Sequence, residues 1–118
     1  MEIKIKTTNF SLTPSIGNYL QEKLNTLDKF LPNDESILAD VELAKTTKHH
    51  QKGDIFKAEV NLKVPGHLIR AVAERWDLHV AIDAVKDELR REITMNKEKN
   101  ISLYKKGARL LKKLLRRE

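Results

Sequence analysis

Hydrophobic and polar residues alternate along four stretches of the chain, which are residues 2–9, 37–46, 55–64 and 67–74. The third stretch is the most regular, and its alternating apolar residues are Phe56, Ala58, Val60, Leu62 and Val64. Because successive side chains of a strand point to opposite sides of a sheet, each stretch predicts a strand with one buried face. Pro65 and Gly66 fit the centre of a type II turn, so the last two strands are expected to form a hairpin.

Two other stretches place apolar residues at helical spacing. The first follows Thr13 and Pro14, which suit the N-cap and the first turn of a helix. Its apolar stripe is Ile16, Leu20, Leu24, Leu27 and Leu31. The second follows Asp77, a capping residue, and its stripe is Leu78, Ile82, Val85, Leu89 and Ile93. These stripes predict two helices, the second ending near residue 97, with a break at residues 100–102 before a basic C-terminal helix.

The order of these elements predicts an α+β fold of the form β-α-β-β-β-α. The three consecutive strands are expected to form an antiparallel meander, and both helices can bury their single apolar stripe on one face of a four-stranded sheet. We therefore predict one domain over residues 1–99, followed by a basic amphipathic helix or tail over residues 100–118.

The chain has 118 residues and a formal net charge of +6, and the excess of positive charge lies at its C-terminal end. Residues 1–99 contain 16 basic and 16 acidic residues, whereas residues 100–118 contain seven basic residues and one acidic residue. The basic residues of this tail are Lys105, Lys106, Arg109, Lys112, Lys113, Arg116 and Arg117. A basic tail on a neutral domain predicts a polyanionic partner, either a nucleic acid or, less often, an acidic membrane surface.

The residue types and spacings of common catalytic and metal sites are absent from the sequence. The chain has no Cys, and its four Gly are isolated, so it lacks both thiolate ligands and a Gly-rich phosphate loop. Adjacent His49 and His50 would point to opposite faces of an extended segment, and no third ligand stands at a characteristic spacing. We therefore expect a protein that is not an enzyme and that has no cofactor, no metal and no small-molecule substrate.

A soluble cytoplasmic protein is expected from the hydropathy of the chain. No apolar run approaches the roughly 20 residues that span a bilayer. The N-terminus alternates apolar and charged residues, which a signal peptide does not do.

Basic residues follow the predicted helices beside their apolar stripes. On the second helix Lys86, Arg90 and Lys97 lie along one exposed flank, and Arg91 lies on the other. On the first helix Lys23 is next to the stripe, and Lys29 is near the C-terminal end. By spacing alone these residues are also typical of an ordinary helix surface with charges of both signs.

Four segments of the chain form an ordered set with Leu89 and Arg91. The segments are LTPSI at residues 12–16, KLNTLDKF at 23–30, IRAVAE at 69–74 and DLHVAID at 77–83. In order and spacing this set is similar to the ribosome hibernation-promoting factors. This family includes ribosome-associated inhibitor A and is also labelled sigma-54 modulation protein. The similarity covers about residues 1–99, and the family's β-α-β-β-β-α fold agrees with the order derived above.

The resemblance implies a factor that is not an enzyme and that binds the small ribosomal subunit in stressed or stationary cells. It would lie over the sites for messenger RNA and transfer RNA, block translation and preserve the idle ribosome. Residues implied on the ribosomal RNA face are Lys23, Lys29, Lys45 and Arg91. The chain departs from the pattern where Thr26, Glu88 and Met95 replace a frequent Lys, and where Lys86 and Arg90 add charge. The family's long members carry a C-terminal dimerisation domain, and the length of this chain predicts a short-type factor without it.

The combined RNA-binding prediction covers both helices, the second strand and the tail. Its residues are Lys23, Lys29, Lys45, Lys86, Arg90, Arg91, Lys97, Lys105, Lys106, Arg109, Lys112 and Lys113. The tail either packs its leucines, Leu110 among them, against the domain or against a second copy in a homodimer, or it is mobile and orders on RNA.

Two alternatives to the ribosome stay open. One is a general module that binds structured RNA. The other is an interaction protein that docks on a partner or a membrane through its basic amphipathic tail. Insertion of this tail into a membrane is expected to be modest at best, because it has no Trp or Phe and many Lys and Arg.

Overall fold

The computed structural model describes the backbone of residues 1–46 and 53–115, with the side chains of this part except at residues 98–106, 108 and 111–115. The elements, in chain order, are strand β1 (Glu2–Thr8), helix α1 (Pro14–Asn25), a 3-10 turn (Asp28–Phe30), strands β2 (Leu38–Thr46), β3 (Ile55–Val64) and β4 (His67–Arg75), and helix α2 (Leu78–Leu115). This order confirms the predicted β-α-β-β-β-α arrangement. His49 and His50 lie outside the described residues.

The four strands form one sheet in the order β1-β2-β3-β4. Strand β1 runs parallel to β2, with Ile5 opposite Val41. Strands β2, β3 and β4 form the predicted antiparallel meander. Gly66, in the turn between β3 and β4, has a φ of +89°, the left-handed conformation that the third position of a type II turn requires. Strands β1 and β4 are therefore the two edges of the sheet.

The hydrophobic core lies between one face of the sheet and the two helices. The sheet contributes the predicted alternating residues, which are Ala39, Val41, Leu43, Ala58, Val60, Leu62, Ile69, Ala71 and Ala73. The helices contribute Leu20, Leu24, Leu78, Ala81, Ile82, Val85, Leu89 and Ile93. No buried side-chain polar atom in the described part lacks a hydrogen-bond partner. Burial of these apolar surfaces, at about 25 cal/mol per Å², is the main force that holds the helices on the sheet.

Both helices begin where the sequence predicts. The Thr13 hydroxyl accepts a hydrogen bond from the Ile16 amide at 3.2 Å. The Asp77 carboxylate accepts hydrogen bonds from the amides of His79 at 2.8 Å and Val80 at 3.2 Å. These contacts satisfy backbone donors that the first turn of a helix leaves without a partner.

The first helix ends earlier than its apolar stripe suggests. Helix α1 stops at Asn25, and the Thr26 hydroxyl donates to the Lys23 carbonyl at 2.6 Å. A threonine hydroxyl that bonds the backbone in this way competes with the helical ladder. Leu27 keeps its inward position with no exposed surface. Lys29 therefore lies in the 3-10 turn, and its predicted place on the first helix is wrong.

The predicted break in the second helix is also wrong, because α2 continues without interruption to Leu115. Residues 100–102 contain neither Pro nor Gly, and Asn and Ser each cost a helix only about 0.5 kcal/mol relative to Ala. The 38 residues of α2 span about 57 Å at 1.5 Å per residue. The molecule measures 71 × 32 × 17 Å as a result. Leu110 is 61% exposed, so it does not pack against the domain.

We call the side of the sheet that the helices leave uncovered the open face. Ion pairs join neighbouring strands across it, and the distances are 3.2 Å for Lys63–Asp40, 3.3 Å for Lys57–Glu42 and 2.6 Å for Arg70–Glu59. The hydrogen bond from Arg70 is the main cause that lowers the pKa of Glu59 below its ordinary value. Acidic and basic residues of the open face thus largely neutralise one another.

Leu89→Ala is expected to lower the free energy of unfolding by about 2–5 kcal/mol, because it leaves a cavity between α2 and the sheet. Met95→Ala on the same helix is the matched control, since Met95 is 55% exposed, and it should change stability by less than about 0.5 kcal/mol. Urea unfolding followed by circular dichroism measures both. Equal losses for the two variants would contradict the placement of the core.

Candidate nucleic-acid interface

Helices α1 and α2 lie side by side and run in the same direction. Tyr19 contacts His79, and Lys23 contacts Asp83. Because the residue numbers rise together along both elements, the helices are parallel, and the 3-10 turn after α1 continues this register farther along α2. Among the residues predicted to bind RNA, this helical layer carries Lys23, Lys29, Arg90 and Lys97.

A cluster around Tyr19 joins the middle and last turn of α1 to the first turns of α2. The Tyr19 hydroxyl donates to Asp83 Oδ1 at 2.7 Å, and Lys23 Nζ lies 3.6 Å from the same oxygen. The hydrogen bond to Asp83 raises the pKa of Tyr19 to about 12, since it stabilises the neutral hydroxyl, and burial acts in the same direction. The His79 ring stands edge-on to Tyr19 with 4.6 Å between centroids. The charge of Lys23 is thus balanced by Asp83 within the protein.

A second cluster surrounds Phe30, where the 3-10 turn meets α2. Lys29 Nζ and Arg90 Cζ each lie 5.2 Å from the centre of the Phe30 ring, as in cation–π contacts. Lys97 lines a cleft of about 370 Å³ together with Lys29 and Phe30. We call Lys29, Phe30, Arg90 and Lys97 the Phe30 cluster. Among the described residues, none of its three cations forms an ion pair with a carboxylate.

The cleft beside the Phe30 cluster is apolar inside and polar at its rim. Leu31, Val64, Ile69 and Ile93 form its walls, and His67 lies at its border with exposed surface. An apolar recess next to unpaired cations can accept a ligand that combines a flat apolar group with negative charge. An unstacked nucleotide has this chemistry.

The other predicted residues of the domain are each paired with an acidic side chain. The distances are 3.2 Å for Lys45–Asp54, 2.7 Å for Lys86–Asp87 and 3.0 Å for Arg91–Glu88. Lys45 lies at the C-terminal end of β2, near the start of the helices, so it is at the opposite end of the layer from Lys29. The structure therefore brings Lys29, Arg90 and Lys97 together and leaves Lys45 and Arg91 apart from them.

The predicted tail residues lie on the C-terminal part of α2. Arg109 is exposed there. Lys105, Lys106, Lys112 and Lys113 occupy helical backbone positions whose side chains lie outside the described part, and Arg116 and Arg117 are wholly outside it. The assignment of the tail to RNA binding stays a prediction.

The sequence analysis did not predict a role in this interface for two aromatic residues, Phe30 and Tyr19. Phe30 holds Lys29 and Arg90, and Tyr19 joins Asp83 to His79. The only local signal was the adjacent pair Lys29-Phe30, since both Arg90 and Asp83 are about 60 residues away in the chain.

Known proteins give this surface a context. The family model described as "Sigma 54 modulation protein / S30EA ribosomal protein" matches residues 3–101. The chain belongs to this family. A "Ribosome hibernation promoting factor" of Klebsiella oxytoca is 29% identical over 99 residues, which cover 84% of this chain and 96% of that protein. A protein of the same name from Pseudomonas putida is 28% identical over 108 residues, with coverage of 92% and 98%.

A solved structure supports both the family and the fold. The N-terminal domain of Thermus thermophilus Protein Y superposes with a TM-score of 0.66 at 31% sequence identity, covering 79% of this chain and 96% of that chain. The family consists of ribosome hibernation factors, which are not enzymes, so membership confirms the prediction that this chain is not an enzyme. Within the described part, no helix is long and apolar enough to cross a membrane.

Tyr19→Phe tests the cluster that joins the helices. Loss of the hydrogen bond to Asp83 is expected to lower the free energy of unfolding by about 0.5–1.5 kcal/mol near pH 7. The pKa of Tyr19 is about 12 in the folded protein, against an ordinary value of 10. The hydrogen bond therefore contributes fully to stability below pH 10, and its contribution is lost as the pH rises through about 12. The stability difference between the two proteins should therefore shrink from pH 10 to 12. A constant difference over this range would contradict the assignment.

Proposed function

We propose that this protein is a ribosome hibernation factor that binds the small ribosomal subunit in its messenger RNA and transfer RNA channel. It acts in the cytoplasm of stressed or stationary cells, where it blocks translation and preserves idle ribosomes. Membership of the family over residues 3–101 carries this proposal. Relatives that this chain covers almost completely are named ribosome hibernation promoting factors.

The proposed ribosomal partner is RNA, and the proposed contact is electrostatic. Folded ribosomal RNA presents phosphates and 2′-hydroxyls in fixed shapes, and Lys or Arg contacts to phosphate release condensed counterions. The Phe30 cluster is best prepared for this role, because its three cations have no carboxylate partner among the side chains that the structure describes. We therefore place the strongest RNA contacts at Lys29, Arg90 and Lys97.

The paired cations are proposed to contribute less. Lys23, Lys45 and Arg91, which the family resemblance implies, each have a carboxylate within 4 Å, and so has Lys86. A phosphate that approaches such a residue is also repelled by its acidic neighbour, which reduces the gain from the contact. These residues are expected to add smaller increments around the Phe30 cluster.

The C-terminal part of α2 is proposed to extend the RNA contact. It continues the helix that carries Arg90 and Lys97, and Arg109 on it is exposed. A homodimer through this part of α2 stays a prediction, and the exposure of Leu110 agrees with either a second copy or another partner there. The proposal includes no cofactor, no metal and no small-molecule substrate.

Co-sedimentation with ribosomes tests the proposed function. In sucrose gradients of stationary cells, we expect the protein in the fractions that contain the small subunit. A general RNA-binding module or a membrane-docking protein is not expected in those fractions. With purified subunits, affinity should fall by about 10³-fold or more between 50 and 200 mM salt if six or more phosphates are contacted. A flat salt titration would exclude the electrostatic mechanism, and absence from ribosomal fractions would exclude the function.

Adjacent arginines provide the sharpest test of the site. Arg90→Ala removes a cation of the Phe30 cluster, whereas Arg91→Ala removes one that is paired with Glu88. We expect Arg90→Ala to weaken subunit binding about tenfold and to reduce the slope of log affinity against log salt by about 0.7–0.9. Arg91→Ala should change affinity by less than about threefold. A larger loss of affinity for Arg91→Ala than for Arg90→Ala would contradict the site proposed here. It would instead favour the RNA contacts that the family resemblance implies.

A further inference from the structure

The cleft beside the Phe30 cluster is formed by three separate parts of the chain. The 3-10 turn and the residue after it contribute Lys29, Phe30 and Leu31, and α2 contributes Ile93 and Lys97. The hairpin of β3 and β4 completes the cleft. Its volume of about 370 Å³ lies near the lower end of the range for small-ligand sites, which is roughly 300–1,000 Å³. A ligand of the size of one nucleotide fits a site of this kind.

The end of the hairpin places an aromatic ring in the cleft. Val64 pairs with His67 there, and both residues line the cleft. Because side chains alternate along a strand, His67 shares the face of buried Ile69, but it is itself exposed. The Phe30 ring is already engaged by two cations, whereas the His67 ring contacts no other described ring. An imidazole beside an apolar recess is a surface on which an unstacked base can stack.

Asn96 gives the cleft a polar group that can recognise a base. Its side chain lines the cleft, is half-buried, and makes no hydrogen bond with another described residue. The amide has N–H donors and a carbonyl acceptor next to each other. Adenine presents an acceptor and a donor side by side, which one Asn amide can bond with two hydrogen bonds. An apolar recess with a few polar groups of this kind is the usual composition of a ligand site.

The cations of the Phe30 cluster are spread over more than the cleft itself. Lys29 and Lys97 line the cleft. Arg90 lies outside its lining, two turns of α2 before Lys97, which is about 10 Å along the helix axis. A base in the cleft would leave its own phosphate near the two lysines and the phosphate of a neighbouring nucleotide near Arg90. This spread of charge suits a strand of RNA better than a free mononucleotide with a single phosphate.

We propose that the cleft binds one unstacked nucleotide of the RNA strand that the helical layer contacts. The base stacks on His67 and against the apolar walls, and Asn96 bonds its edge. Lys29 and Lys97 hold the phosphate. This inference rests on the proposed function and adds to it a site for a base, beside a surface that otherwise meets phosphates and 2′-hydroxyls. Because the base must be splayed out of its strand, the site favours loops and bulges of the RNA over regular helices.

Binding to purified small subunits tests the stacking position. His67→Ala is expected to weaken binding about fivefold or more because stacking on one base is lost, whereas His67→Phe keeps a ring and should stay within about twofold of the unmodified protein. Asn61→Ala, on the open face, is the matched control and should leave the affinity unchanged. If the unmodified protein binds and His67→Ala binds equally well, the base site is wrong while the proposed function stands. Failure of the unmodified protein to bind overturns both.

Nuclear magnetic resonance of the free protein locates the bound base without a ribosome. The probes are the RNA tetranucleotide AAAA and the mononucleotide AMP, since adenine has the edge that Asn96 matches. The tetranucleotide is expected to shift the backbone amides of His67 and Asn96. It should bind about tenfold more tightly than AMP, because a further phosphate reaches Arg90 and a hydrogen bond to a charged group adds at least this factor.

Three results of this titration would overturn the proposal. Equal affinities for the two probes would identify a free mononucleotide as the occupant instead of an RNA strand. Shifts confined to residues near Arg90 and Lys97 would mean that phosphate binds without a base in the cleft. No shift at His67 with the tetranucleotide, together with loss of subunit binding in His67→Ala, would make a ribosomal protein the partner of the cleft. Circular dichroism confirms that each variant is folded.

Discussion

The packing of two parallel helices on a single face of the sheet determines where the charged residues of the described helices and strands lie. The alternating apolar residues of four strands create one buried face, and the stripes of α1 and α2 cover it. Basic residues next to those stripes are therefore held on the outer side of the helical layer. The other face of the sheet stays open and carries its own set of cross-strand ion pairs.

This constraint explains how a domain with equal numbers of acidic and basic residues can present a basic surface. What matters is which cations find a carboxylate within the fold. Lys23 meets Asp83 because the parallel helices bring these residues together. Arg90 meets the aromatic ring of Phe30 and Lys29 lies on the same ring, so both charges stay available for an external anion. Pairing inside the protein, more than the count of charges, defines the candidate site.

The fold was largely predictable from the sequence because its signals are local. The alternation around Val60, the turn at Gly66 and the cap at Asp77 all appear in the structure. The two errors concern helix ends, where the free energies that favour continuing or stopping the helix are small and nearly equal. Helix α1 ends at Asn25, where the Thr26 hydroxyl bonds the Lys23 carbonyl, whereas weak helix formers at residues 100–102 did not end α2.

The candidate site was predictable only in part, because its geometry depends on contacts between distant segments. The spacing of Lys86, Arg90 and Lys97 placed them on one flank of a helix. It did not reveal that Lys86 pairs with Asp87 while Arg90 lies on Phe30. The contact partner of each basic residue depends on the folded structure, because helical spacing places basic and acidic side chains on a helix surface without determining which of them pair.

The continuity of α2 changes how the basic tail can act. If the helix had broken near residue 100, the tail would move independently, and its charges would act as a second, tethered ligand. In one helix, Arg109 is instead held about 28 Å along the axis from Arg90, at 1.5 Å per residue. RNA that contacts the Phe30 cluster and the tail together must then match a fixed spacing. A rigid spacing favours one shape of folded RNA over others without any reading of bases, because phosphates at other separations cannot reach both sets of cations.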